Sequence, residues 1–306
     1  MQSIATFVLS GRNQAILSVI GFVTLALVFP LLGFGFGLLS AASIGLVTLV
    51  HGARQGLLIT VVAAVFLLGI SSVTGRMAIG IEYLAFYWLP SWLLASLLAR
   101  FNSLSLAIMV ASGVGFVISM VIASLYGQYE AEWNKLIIDN LLPTFEKAKA
   151  DLSKEELEAL LVEIGNWVVH FAAAYWVLSM SASLFIARWW QSLVYHPGGF
   201  GEEYRQLRLG MMSTIFALVI VALAFVFKDG VLGIALASSA LVVVLVFLFQ
   251  GLSIAHYVAK VRKLRLAWLV LVYIAIFVLM PYEIYLIAVI GLSDNWVNYR
   301  SRIKPV

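Results

Sequence analysis

Charged residues punctuate this chain instead of alternating with apolar ones. From Gln14 to Val50 there is no charge at all. A membrane helix needs about 20 apolar residues, so this run holds two spans, 14–32 and 36–51. Pro30 with Gly33, Gly35 and Gly37 marks the break between them. His51, Gly52 and Arg54 form a short loop before a third span, Gly56 to Ser72, closed by Gly75 and Arg76. A fourth runs from Glu82 to Ala99 and contains Pro90 between Trp88 and Trp92. Proline removes a helical donor, so a kink is expected there. Arg100 and Asn102 make a polar turn before the fifth span, Leu104 to Tyr126, in which Gly113 and Gly115 permit close helix approach.

The pattern then changes. Ser153-Lys-Glu-Glu156 fits a capping box. After it Leu157, Leu160, Leu161 and Ile164 recur at helical spacing, as Trp133, Leu136, Ile137 and Leu141 do before Pro143. The expectation for 127–163 is two short amphipathic helices lying at the interface. Long apolar runs resume with a sixth span, 165–187, ended by Arg188, Trp189 and Trp190 as an interface anchor. A polar, glycine-rich turn over 188–210 leads to a seventh span, 211–227, and Lys228-Asp229-Gly230 to an eighth, 231–253. The last apolar stretch, Ala267 to Ile290, is interrupted at Pro281 and reads either as one tilted span or as two half-spans. The fold class is therefore all-α: a single integral membrane domain over 1–306, a polytopic bundle of eight or nine spans.

Composition agrees. The chain is 63% hydrophobic and 11% charged, with a mean hydropathy of +1.04, against roughly 25% charged in soluble domains. There is no cysteine, hence no disulfide framework and no thiolate chemistry. A formal charge of +4 does not point to nucleic acid; its distribution is more informative. Residues 127–163 hold nine acids (130, 132, 139, 146, 151, 155, 156, 158 and 163) against four lysines, while the remainder holds fifteen bases against six acids. The lysine and arginine bias places the 127–163 insertion outside. It places Arg54, Arg100, the 188–210 turn and the basic segment His256, Lys260, Arg262, Lys263, Arg265 in the cytoplasm. The basic tail (Arg300, Arg302, Lys304) joins them only if the last stretch folds back at Pro281. Met1–Ser10 has neither a basic region nor a small-residue cleavage site, so the first span is expected to act as its own uncleaved insertion signal.

In the polar turn, Pro197 ends the preceding helix. Gly198, Gly199 and Gly201 offer backbone angles closed to other residues. Glu202 and Glu203 fall in the first turn of a new helix, with Arg205 and Arg208 one turn apart behind them. This run, His196-Pro-Gly-Gly-Phe-Gly-Glu-Glu-Tyr-Arg-Gln-Leu-Arg-Leu-Gly210, set between long spans, resembles the YybS-like family of bacterial membrane proteins, a family of unknown function. That family is similar to the substrate-binding membrane subunits (S-components) of energy-coupling-factor transporters. The resemblance implies a bacterial inner-membrane location and a helical core with a small-molecule pocket. S-components carry small residues four apart in the first span; here that spacing occurs later, at Ala95/Ala99 and Ala107/Ala111.

Candidate chemistry is sparse. There is no Gly-x-x-x-x-Gly-Lys-Ser/Thr, no His-Glu-x-x-His and no Gly-x-Ser-x-Gly run, and the histidines at 51, 170, 196 and 256 have no ligand spacing. No enzyme, metal or cofactor is expected. The deepest ionisable residue is Glu283, beside Pro281. A carboxylate in hydrocarbon is costly and usually faces a cavity or a partner. Two placements fit it: a substrate or proton site with His170, Tyr273 and Tyr285, or the headgroup region. Small-molecule transport is the first reading. A scaffold recruiting protein partners through the turn (His196, Pro197, Gly198, Gly199, Gly201, Glu202, Arg205, Arg208) and the basic segment is the second.

Overall fold

The computed structural model describes residues 1–147 and 152–303, so Lys149, Asp151 and Lys304 lie outside the described residues. Within them, all regular elements are helical. Helix α1 (Gln2–Leu9) precedes α2 (Arg12–Val28), and a 3-10 turn at Pro30–Leu32 leads into α3 (Gly33–His51). Then come α4 (Ala53–Val73), α5 (Met77–Glu82), a π-helical turn at Tyr83–Trp88, and α6 (Leu89–Phe101). The long pair α7 (Leu104–Lys147) and α8 (Lys154–Tyr195) is followed by α9 (Gly199–Arg205), α10 (Gly210–Val226) and α11 (Gly230–Val261). Helices α12 (Leu266–Val278), α13 (Tyr282–Val297) and α14 (Tyr299–Arg302) close the chain.

Six stretches are long and apolar enough to cross a membrane: Pro30–His51, Ala53–Val73, Met77–Phe101, Leu104–Glu146, Lys154–Tyr195 and Gly230–Val261. Helices α9 and α10, bent by 59° at their junction, make a seventh if taken as one span. Helices α2 and α12 are apolar but shorter.

The contacts fix how neighbours run. Phe34 packs on Tyr175 and Gly45 on Ala187, while the Gln191 side chain donates to the Leu49 carbonyl at 3.3 Å, so α3 is parallel to α8. Tyr126 donates to Asn166 at 2.5 Å and Gly115 faces Val177, so α7 and α8 are antiparallel. Gly127 meets Val231 and Gly115 meets Val242, which sets α11 antiparallel to α7. Two apolar cores result. One joins α1 to α4 with Trp88, Ala187 and Trp190; the other joins α6, α7, α8, α10 and α11 with Tyr204, Leu207 and Leu209. Helix α8 contributes to both. In lipid, apolar burial does little to hold helices together, and polar cross-links assist. The Ser40 hydroxyl donates to the Val19 carbonyl (2.8 Å) and accepts from Trp88 Nε1 (3.0 Å), and Ser91 donates to the Ala41 carbonyl (2.8 Å).

Several expectations change. The fourth span begins earlier, at Met77, and the disturbance expected at Pro90 takes the form of the π-turn before it. Proline offers no amide to the Phe86 carbonyl one turn back; Trp176 Nε1 donates to that carbonyl instead, at 2.9 Å. The amphipathic segment after Ser153 is continuous with the sixth span, while the one before Pro143 follows a kink at the end of the fifth. Residues 127–147 and 154–163 are the far ends of α7 and α8, and α7 is kinked at Tyr129 (φ −124°, ψ 30°), where two helices join. Leu157, Leu161, Gly165, Val169, Ala173 and Val177 are buried at four-residue spacing, so a single packing seam runs from the acidic end into the apolar part of α8. The 44 residues of α7 are two helical segments, 104–128 and 130–147, joined at the Tyr129 kink. Trp133 and Ile137 pack on Gly165, so the acidic ends of α7 and α8 stay paired beyond their apolar parts as a stalk. Its capping box forms as expected: Ser153 and Glu156 bond each other's amides.

Candidate functional site

Helix α13 carries two carboxylates in opposite circumstances. Glu283 lies in its first turn, after Pro281 has interrupted the apolar stretch into α12 and α13. It lines a groove of about 380 Å³ between α11, α12 and α13. The other walls include Gly251, Ile254, Trp268, Leu271, Val272, Ala275, Leu286 and Ile287, all without charge. Glu283 Oε2 is buried and has no hydrogen-bond partner among the described residues. Carboxylate oxygens buried in apolar surroundings are nearly always paired, so an unpaired one is a place where a ligand's donor would be satisfied.

The residues expected to join Glu283 do not line its groove. His170 Nδ1 is bonded to the Asn166 carbonyl at 2.8 Å, one turn back on α8. The Tyr273 hydroxyl meets His256 Nε2 at 2.9 Å. Tyr285 is exposed. Helical periodicity separates them: Tyr285 is two positions from Glu283, which turns it away from the same face.

The polar turn is organised differently from its expectation. Residues 188–195 continue α8, and only 196–198 and 206–209 are non-helical. Gly198 takes positive φ (91°), as does Gly210 (82°), while Gly199 and Gly201 are helical and need no left-handed freedom. Arg208 lies beyond α9, not on it. Glu203 is held by Arg188 Nε at 2.6 Å, and Glu202 lies 4.0 Å from the exposed His196.

Beyond the turn the connector is clamped to the end of the chain. Asp294 on α13 is fully buried. Its Oδ2 accepts from Arg300 Nη1 and lies 3.4 Å from Arg208 Nε, and its Oδ1 accepts from the Tyr299 amide at 3.0 Å. Arg208 Nη2 also donates to the Asp294 carbonyl, at 2.9 Å. Arg300 is satisfied all round: it donates to the carbonyls of Arg205 (3.0 Å) and Leu207 (2.9 Å) and to Ser253 Oγ (2.6 Å). Burial pushes its guanidinium pKa down while Asp294 opposes that shift. Gln250 completes the clamp by accepting from the Leu209 amide at 2.9 Å. Glycine lets the elements approach, since Gly251 and Gly291 sit where α11 and α13 touch backbone to backbone.

Sequence reasoning therefore missed Asp294, Gln250 and Ser253, and took Arg300 for part of a free tail. One signal was available: after residue 230 the chain has only two acids, Glu283 and Asp294, so an arginine-rich end had few partners to choose from. Comparison with protein-family models, curated proteins and solved structures gives no match.

Proposed function

We propose that the chain is a multi-pass membrane protein that handles a small molecule, as a substrate-binding transport subunit or a carrier, and that the groove at Glu283 is its ligand site. The observation behind this reading is the buried, unpartnered Glu283 Oε2 in an otherwise uncharged groove. Such a site favours an amphiphile with an apolar body and a cationic or donor group. The alkyl portion lies against Leu271, Val272 and Ile287, and its ammonium supplies the carboxylate's missing donor. The test is thermal stabilisation of purified protein by short alkylammonium ions and by alcohols of equal chain length. The ammonium series should stabilise the wild type and not Glu283→Gln, while the alcohols treat both alike. Equal responses to the ammonium series would overturn the reading.

Eight crossings with a cytoplasmic N-terminus fit it best. Alternation of α2, α3, α4, α5–α6, α7, α8, α10 and α11 agrees with the parallel and antiparallel neighbours described above. It puts the acidic stalk outside and the connector, the 262–265 turn and α14 inside, in keeping with the charge bias. Single cysteines at Lys154 and Lys263 of this cysteine-free chain, labelled in intact cells with an impermeant maleimide, check it: only position 154 should react. We retain the similarity to YybS-like proteins and S-components, and the bacterial inner membrane, as part of this proposal.

A scaffold function is the second reading. It is favoured by Lys260, Arg262, Lys263 and Arg265, which are exposed and in no ion pair among the described residues. The connector itself is largely taken up by internal bonds, which leaves the basic segment as the partner-facing part. Loss of a copurifying partner on replacing these four by serine, with alkylammonium binding absent in the wild type, would favour this reading over transport.

A further inference from the structure

The N-terminal half carries a notch that neither the Glu283 groove nor the Asp294 clamp uses. It opens at the end of the bundle where α1 meets α2 and the α3–α4 loop, and encloses about 420 Å³. Val8, Ala15, Val47 and Ile59 form a buried apolar floor, and Arg12, His51 and Gln55 line the rim. No carboxylate lines it, and neither Arg12 nor His51 is in an ion pair among the described residues. Helix α2 starts at Arg12, and no side chain caps its first-turn amides. The notch thus joins a guanidinium, an imidazole and uncapped amides above an apolar floor.

We propose that this notch binds the phosphate headgroup of an anionic phospholipid. The rim supplies charge and donors matched to a phosphodiester, since an arginine fork and helix N-terminal amides both suit phosphate oxygens. The floor argues for a lipid over a free phosphate ion, because a small hydrated anion gains nothing from Val8, Ala15, Val47 and Ile59, whereas glycerol and the upper acyl chain do. Basic pockets between membrane helices on the cytoplasmic side are where such headgroups lodge.

The test is lipid retention by the purified full chain in detergent, read by native mass spectrometry. Phosphatidylglycerol and phosphatidylcholine with the same acyl chains are compared, with inorganic phosphate as competitor. The wild type should retain phosphatidylglycerol in preference. Arg12→Gln should lower that retention about fivefold, the worth of one basic residue at an anionic surface. Arg12→Lys should keep most of it, and Arg54→Gln, a basic neighbour outside the notch, should leave it unchanged. If Arg12→Gln fails to fold, Gln55→Glu carries the test, since an acid on the rim should abolish the preference. Equal retention of the two lipids by the wild type, an equal loss in Arg54→Gln, or displacement of the lipid by millimolar inorganic phosphate would each overturn the proposal.

Discussion

Asp294 and Glu283 sit eleven residues apart on one helix, and the bundle treats them in opposite ways. Asp294 is fully buried and holds two guanidiniums and a backbone amide. Glu283 has an oxygen that is equally shielded and holds nothing. A charge removed from water is tolerated when its hydrogen bonds are replaced and is expensive when they are not. The first carboxylate is therefore a structural fastening: it locks the Arg208 connector, the end of α11 and α14 into one unit. The second has no partner among the described residues, and in our reading it is where a ligand's donor binds.

The comparison breaks most easily at the fastening. Asp294→Ala leaves Arg300 buried without its carboxylate and should cost about 3–5 kcal/mol, the usual penalty for removing one partner of a buried pair. Unfolding by sodium dodecyl sulfate in mixed micelles measures it. In the same assay Glu283→Gln should change stability by less than about 1 kcal/mol in either direction, because no hydrogen bond of the carboxylate is lost. Equal losses from the two variants would erase the distinction.

A smaller effect separates two glycines beside the fastening. Gly198→Val places a β-branched residue at φ 91° and should cost about 1–2 kcal/mol. Gly199→Val should cost less, since its added Cβ meets only the exposed His196 ring, 2.5 Å away in its present rotamer. Equal losses at the two positions would show that the connector does not depend on the left-handed angle. Smaller still is the effect at the start of α8. Ser153→Ala should loosen the start of α8 by about 1 kcal/mol, read as faster amide exchange over Glu155–Leu157 with the bundle core unaffected. The capping bonds, first from the Ser153 amide and then from its hydroxyl, hold the Glu156 carboxyl below the usual carboxylate range. A folded-state value below the unfolded one means this contribution is present above the ordinary carboxylate pKa. It is lost as pH falls through the lowered value, so the exchange difference should narrow in acid without vanishing, because the Ser153 hydroxyl accepts from the Glu156 amide at any pH.

The contrast also shows what the sequence could reveal. Long uncharged runs identified the apolar helices from α3 onward, and Ser153 with Glu156 marked the start of α8, because both signals are local. That start was misread as a separate interfacial helix because the acidic residues hid a seam at four-residue spacing, Leu157, Leu161 and Gly165, continuing unbroken into the apolar part. Glu283 was legible as the deepest acid of the last apolar stretch. Its surroundings were not, since the groove is built by α11 and α12, whose approach depends on Gly251 meeting Gly291. The Asp294 clamp was illegible for the same reason. It joins residues 208, 250, 253, 294 and 300 from four elements, and no spacing along the chain encodes that meeting.

The most direct test of the central contrast is chemical. A hydrophobic carbodiimide enters the bilayer and modifies carboxyl groups that lie in apolar surroundings free of ion pairs. Applied to the protein in lipid vesicles, with the sites mapped by mass spectrometry, it should modify Glu283 and leave Asp294 untouched, and short alkylammonium ions should protect Glu283. Modification of Asp294 with Glu283 unreactive, or no difference between the two, would contradict the account.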